Sequence, residues 1–260
     1  SLVVFDITTR IPDSLIVSAT VDVRVGQLVV ARMQTAGDGI QKGLDLVYGS
    51  NRAAGRVFLT GYEQGSEGTE LISILNPNNE FVEVEISFFG TGVKNIQPKK
   101  LELRALQRQV LELGSFESDN ETYGVEVKSF DGEPIAASFI SWKGKSSNEE
   151  SLDFGFTTQN GVDLAARNWK LLLESSPFES GYLSVLNPNS KTIASIKFSN
   201  KESSLPLGVP ERIELDGLES VSFPITDASI KALDIDSTSP VSVSYTHLRA
   251  HETRHDLVCR

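Results

Sequence analysis

Histidine and cysteine are almost absent from this 260-residue chain, which has three His and one Cys. All four of these residues lie after Ser242, at His247, His251, His255 and Cys259. Residues 1–242 therefore lack the imidazole and thiol groups of nucleophilic triads and of zinc sites, and they cannot form a disulfide. Chemistry that uses only carboxylates, or lysine with serine, remains open to them.

Positive charge and long apolar runs are also scarce. Lys and Arg number 24 against 35 Asp and Glu, for a formal net charge of −11. This balance disfavours contact with phosphate backbones and with anionic membranes. Apolar runs stay well short of the roughly 20 residues that cross a bilayer. We expect no nucleic-acid partner and no membrane insertion in this chain.

The last residues, 243–260, are expected not to belong to the natural protein. Val243–Thr253 matches one translated frame of a common transposase-type sequencing adaptor, and Asp256–Arg260 resembles the flow-cell primer that follows it. Such a segment is excluded from fold reasoning, and the histidine spacing inside it loses its bearing on a metal site. We expect this tail not to complete the last β-sheet. The chain begins at Ser1 without Met, so we also expect it to be truncated at both ends.

What the chain does contain is a long internal repeat. Ile74-Leu75-Asn76-Pro77-Asn78 recurs as Val185-Leu186-Asn187-Pro188-Asn189, and Phe58 and Trp169 precede the two copies at the same distance. A repeat of this length is a whole domain, which indicates a tandem array. The shared aromatic position favours a ring in the core or between domains.

Alternation of apolar and polar residues predicts β-strands throughout. In 81–88, Val82, Val84, Ile86 and Phe88 share one face, and 194–198 repeats the pattern. Asn-Pro-Asn follows a strand each time and is a turn, because proline presets φ and asparagine caps its own backbone. Further strands are predicted at Lys99–Arg104, Gln109–Leu113, Tyr123–Ser129, Ile135–Lys143 and Leu152–Thr157. Short strands at this spacing are typical of a β-sandwich.

The repeat pattern sets the expected domain boundaries. Val21–Arg24 followed by Leu28–Ala31 aligns with Leu233–Asp236 followed by Pro240–Ser242, which identifies a third copy. We expect residues 1–54 to be the C-terminal half of one β-sandwich, 55–165 a complete one, and 166–242 a truncated one, with 243–260 as the adaptor-derived tail.

These units resemble the tandem immunoglobulin/fibronectin-like β-sandwich repeats of large bacterial secreted and cell-surface proteins. The resemblance rests on ILNPN, on the pair around LELRALQRQVLELGSF, and on YGVEVKSFDGEPIAASFISW, with Leu28 where Pro134 and Pro240 open the other strands. It implies an all-β fold of tandem Ig-like antiparallel sandwiches, the first and last truncated, in an extracellular or cell-surface protein. It supplies no catalytic residues.

Few residues are candidates for a site. The acids Asp131 and Glu133, and Asp234 and Asp236, are expected in loops, where they would either ligate Ca²⁺ or be satisfied by their own backbone. Trp142 ends a strand and is a candidate ring for stacking on a sugar. We expect a non-catalytic structural or adhesive spacer, with a cell-surface glycan or protein as partner. The alternatives are a carbohydrate-binding module, or accessory domains of a secreted enzyme.

Overall fold

The alternation of apolar and polar residues corresponds to an all-β structure. The computed structural model describes residues 3–7, 18–36, 43–49, 53–63, 68–90, 97–113, 122–143, 155–172, 179–200, 204–206, 208–225 and 232–249. Within these ranges the elements are sixteen β-strands, and the strand pairs are antiparallel. The same ranges hold no helix of the length and apolarity needed to cross a membrane. The predicted all-β class is confirmed.

The strands form three sheets. A two-stranded sheet holds β1 (Ala31–Ala36) and β2 (Gly43–Tyr48). A four-stranded sheet has the order β3 (Arg56–Glu63), β8 (Thr122–Ser129), β5 (Val82–Phe89) and β6 (Lys99–Leu103). A ten-stranded sheet contains β4 (Gly68–Leu75), β7 (Arg108–Glu112), β9 (Ala136–Lys143), β10 (Gly155–Asn160), β11 (Ala166–Leu172), β12 (Glu179–Leu186), β13 (Ala194–Ser199), β14 (Arg212–Leu215), β15 (Ser220–Ile225) and β16 (Ala232–Arg249).

Two hydrophobic cores hold these strands together. The first core combines side chains of the four-stranded sheet, such as Val84 and Val125, with Ile72 and Ile74 of β4 and Phe139 of β9. Its apolar residues come from both sheets, so burying them joins the sheets. The second core is formed by β11 to β16 and includes Leu183, Ile196, Phe198, Leu233 and Ile235.

Strand predictions in the central part are confirmed to within a residue or two. The inward set Val82, Val84, Ile86 and Phe88 is buried, and β6 to β9 lie where expected. β10 lies at Gly155–Asn160, later than predicted, and residues 151–154 are outside the described ranges.

The alignment of Val21–Arg24 with Leu233–Asp236 implies a strand at Val21–Arg24, and that expectation is wrong. Residues 18–30 form no strand, and Val21 and Val23 are exposed. Their counterpart β8 pairs with β3 on one side and β5 on the other. In the described part of the chain no strand pairs with Val21–Arg24, and an extended segment without a hydrogen-bonded neighbour is not stable as a strand.

The prediction that the tail leaves the last sheet incomplete is also wrong. β16 continues past Ser242, and Val243 to Arg249 pair with β12 as β9 pairs with β4. The physical reason is that strand pairing uses backbone groups, and Val243-Ser244-Tyr245 happens to alternate as the position requires. This pairing weakens the hypothesis that the codons come from a sequencing adaptor, which stays a prediction. Residues 250–260 lie outside the described ranges.

Candidate functional site

The first Asn-Pro-Asn turn is a buried hydrogen-bond hub. The Asn76 amide nitrogen donates to the carbonyl oxygens of Glu80 (2.7 Å), Leu103 (3.1 Å) and Arg104 (2.9 Å). The Asn76 Oδ1 accepts from the backbone N–H and the side-chain amide of Asn78, at 2.9 and 2.8 Å. The predicted self-capping turn is confirmed, and it also ties the β4–β5 turn to the end of β6.

Asn78 extends the hub to a third segment. Its side-chain amide also donates to the Pro134 carbonyl at 2.8 Å, just before β9. The second Asn-Pro-Asn turn repeats the whole pattern. The Asn187 amide donates to three carbonyls, at Thr192, Leu215 and Asp216, and Asn189 donates to Pro240 at 3.0 Å. Asn76 and Asn187 are both fully buried. The asparagine side chains of both motifs therefore hydrogen-bond to the protein's own backbone and stabilise its turns.

A second turn beside each hub carries a leucine in an unusual conformation. Leu106 has φ 55° and Leu218 has φ 64°, in the left-handed region that glycine normally fills. Both turns close in the same way: Gln107 N–H donates to Arg104 O and Glu219 N–H to Asp216 O, at 3.1 and 3.2 Å. Sequence reasoning missed these residues because leucine is not a turn signal.

The two cores meet at an apolar contact that we call the junction cluster: Phe58, Phe89 and Leu186, with Ala165 and Leu218 packed against it. Phe89 lies in register with Gly124, and a β-carbon on Gly124 would stand 2.9 Å from a Leu186 methyl group. Leu186 of β12 thus sits over a glycine of β8, and its side chain is fully buried. Thr60 and Ser244 add a hydrogen bond between hydroxyls across the same contact.

Phe58 and Trp169 both pack in apolar surroundings, as predicted, but their positions in the two strands differ by one residue. Phe58 lies opposite Glu126, and its ring faces the junction cluster. Trp169 lies opposite Ile235 and packs on the second core, with its indole N–H donating to Val241 O at 2.9 Å. The cause is a register shift between Ala166 and Asn168, since one residue of slip turns a side chain to the other face.

The acidic candidates fall in two separate places. Asp131 and Glu133 are exposed in the turn between β8 and β9, which the Ser129 hydroxyl closes by donating to Glu133 O at 2.7 Å. The expectation that Asp234 and Asp236 lie in a loop is wrong: they lie near the start of β16. Strand alternation puts them on one face there.

Neighbours of Asp234 and Asp236 further disfavour the calcium hypothesis. Asp234 lies in register with Lys170, and Asp236 with Lys197. The Asn168 amide donates to Asp236 Oδ1 at 2.6 Å. Cross-strand lysines supply opposite charge to these carboxylates, as on an ordinary sheet surface. Across the described ranges, no group of three His, Cys, Asp or Glu residues is arranged to hold a metal ion.

Trp142 lies near the end of β9, as predicted, with Thr69 and Phe156 as its backbone neighbours in register. Its side chain lies outside what the structure describes. The hypothesis that its ring stacks on a sugar therefore stays a prediction.

One buried acid escaped the sequence analysis. Glu70 of β4 is 3% exposed, and the Tyr123 hydroxyl donates to its Oε2 atom. Glu70 shares the inward face of β4 with Ile72 and Ile74, so the signal was an acid at an apolar position of the alternation. Tyr123 belongs to the first core, and its hydroxyl supplies a hydrogen-bond donor there. A buried polar group such as the Glu70 carboxyl is tolerated when it is hydrogen-bonded in this way.

A second acid lies on the outer face of the four-stranded sheet. Glu126 Oε1 is 2.7 Å from Arg56 Nε, and the Arg56 guanidinium lies 5.8 Å from the centre of the Phe58 ring. Burial raises the pKa of the Glu126 carboxyl above its ordinary 4.5, against the opposing effects of Arg56 and Lys128. This charged pair borders the junction cluster.

Glu126→Gln is expected to change how stability depends on pH. A raised folded-state pKa contributes stability below pH 4.5, and that stability is lost as the pH rises through the folded value. The glutamine variant has no such loss, so its urea midpoint should gain on the wild type as the pH rises from about 4 to 8. Arg56 lowers the Glu126 pKa, so Arg56→Met should raise that pKa further. Stability should then fall more steeply with rising pH in Arg56→Met than in the wild type. Parallel pH curves for Glu126→Gln and wild type would contradict this account.

Comparison with known proteins leaves the family open. No family model and no curated protein matches the chain. Among solved structures, one similar chain is described as the crystal structure of Thermotoga maritima 1070. It is 16% identical, with a TM-score of 0.35, and the match covers 44% of this chain and 96% of that one. A likeness this weak carries no argument about fold family or function.

Proposed function

We propose that this chain is part of a non-catalytic array of immunoglobulin-like β-sandwich units, acting as a structural or adhesive spacer in an extracellular or cell-surface bacterial protein. The observation that carries the proposal is the repeated hub. Asn76 and Asn187 bind the same kinds of backbone partner in the same arrangement, once beside each core. Among the described residues, structural side chains are duplicated and no reactive group is duplicated with them, which favours a spacer over an enzyme.

The junction cluster supports the same proposal. Phe58, Phe89 and Leu186 are at most 8% exposed, and they bury apolar surface between the cores. An apolar contact of this kind holds neighbouring units in a fixed relation, whereas a polar linker would leave them free to move. A spacer needs that fixed relation. The resemblance of the repeated motifs to bacterial surface repeats supports the proposed location.

Sequencing the genomic locus beyond both ends of the chain tests the proposal. We expect further copies of the Asn-Pro-Asn unit, a secretion signal, and natural codons that diverge from the adaptor match after Ser242. A locus that encodes one isolated copy, or that lacks export signals, would contradict the spacer proposal. Binding of the chain to an immobilised glycan panel, lost in Trp142→Ala, would favour the carbohydrate-binding alternative. A catalytic domain in the same reading frame would favour the accessory-domain alternative.

A further inference from the structure

Beside the first core lie residues that match the two leucines beside the second core, Leu186 and Leu218, which belong to or pack against the junction cluster. Leu186 lies in register with Ser220 and Ser242, and Leu75 lies in register with Arg108 and Ala136 of the corresponding strands. Both leucines directly precede the asparagine of a hub. Leu75 therefore occupies, beside the first core, the position from which Leu186 reaches the junction cluster.

The neighbouring turn completes the match. Leu218 packs against the junction cluster, and its counterpart Leu106 is 61% exposed. Holding a residue with a β-carbon in the left-handed region costs free energy relative to glycine. In Leu218, contact with the junction cluster offsets that cost. Leu106 has the same backbone conformation and a largely exposed side chain, which points to a contact made with another unit.

Charge distinguishes this surface from its counterpart. Arg108 stands where Ser220 stands beside the second core, and its Nε donates to Ser73 Oγ at 2.6 Å. Burial, with the nearby Arg32 as a second cause, lowers the pKa of the Arg108 guanidinium. Arg108 beside Leu75, with Arg32 near Arg108, favours a partner face that carries a carboxylate. The face around Phe58 and Gly124 has such a group in Glu126, which lies opposite Phe58 and also pairs with Arg56.

We propose that Leu75 and Leu106 form a docking surface for another unit of this fold, one that presents two aromatic rings around a small residue, as Phe58, Gly124 and Phe89 do. The occupant is a neighbouring unit in the array, so the inference rests on the proposed function. A second copy of this chain is disfavoured as the occupant, because its own Leu186 already covers the Phe58–Phe89 face.

One substitution tested in two chains examines this surface. Leu106→Gly in the present chain relieves the left-handed strain, and the unfolding equilibrium constant should fall roughly twofold to fivefold. In an extended chain, a second copy of residues 55–165 is inserted between Ala54 and Gly55. The inserted Phe58–Gly124–Phe89 face then precedes the original Leu75 and Leu106. There the gain from Leu106→Gly in the original copy should disappear or become a loss.

Leu218→Gly is the matched control, because Leu218 already has its contact. It should lower the urea midpoint in both chains, which also verifies that the junction forms in each. If Leu106→Gly raises the midpoint equally in both chains while Leu218→Gly lowers it, the docking surface is refuted and the array proposal stands. If both variants raise the midpoint in both chains, apolar docking between units is refuted, and with it the main physical support for a spacer.

Discussion

Asn76→Ala is expected to lower the free energy of unfolding by about 3 kcal/mol. The substitution removes the two side-chain N–H groups that the three carbonyl oxygens share, and the Oδ1 that accepts two hydrogen bonds from Asn78, all from a residue that is fully buried. A buried acceptor left without its donor costs about 1–3 kcal/mol, and some of these carbonyls are near enough to solvent to recover water. Urea denaturation at an unchanged m-value measures the loss.

Two further variants make the Asn76 experiment specific. Asn76→Asp keeps the side chain's size, but it replaces the amide donor with a carboxylate facing the carbonyl oxygens of Leu103 and Arg104. We expect it to be at least as damaging as alanine. Asn79→Ala, at an exposed position of the same loop, should stay within about 0.5 kcal/mol of wild type. A similarly small effect at Asn76 would show that the hub is not a main source of stability.

Leu186→Ala is expected to cost about 3 kcal/mol, the middle of the range for a large-to-small change at a fully buried leucine. The removed methyl groups fill the space over Gly124 between Phe58 and Phe89, so a cavity opens between the two cores. Loss of this contact should also separate the unfolding of the two cores, which fluorescence and circular dichroism would record as transitions that no longer coincide.

Leu75→Ala provides the comparison for Leu186, because it is the same residue in the corresponding strand and is only partly buried. We expect it to cost about 1 kcal/mol. Gly124→Ala provides the reciprocal test. Its β-carbon would crowd the Leu186 methyl groups, so it should destabilise the wild type and be tolerated once Leu186 is alanine. Additive effects of Gly124→Ala and Leu186→Ala would argue against direct packing.

Sequence reasoning succeeded where a local rule decides the structure. Alternation placed Val84 and Ile86 in the first core, and the turn chemistry of asparagine predicted the capping at Asn76. The same rules did not show that the Asn76 amide reaches the end of β6, because contacts across distant segments depend on the fold.

Registers were harder to predict than strands. Copying the repeat letter for letter placed Trp169 at the position of Phe58, and the shift between Ala166 and Asn168 turned the ring inward. Leu218 escaped notice for a different reason. The energetic cost of its left-handed backbone is offset by a contact between the two cores. That contact cannot be predicted from the residue type.

The long strand β16 has a consequence for any shortened version of this chain. Its first part pairs with β11 and β13, and its second part, from Ser242, pairs with β12. A chain ending at Ser242 would expose the backbone N–H and C=O groups of one edge of β12. Such an edge accepts any alternating segment, including one from another molecule. Shortened chains should therefore exchange strands and form oligomers, and a peptide supplied in trans should cap them as monomers.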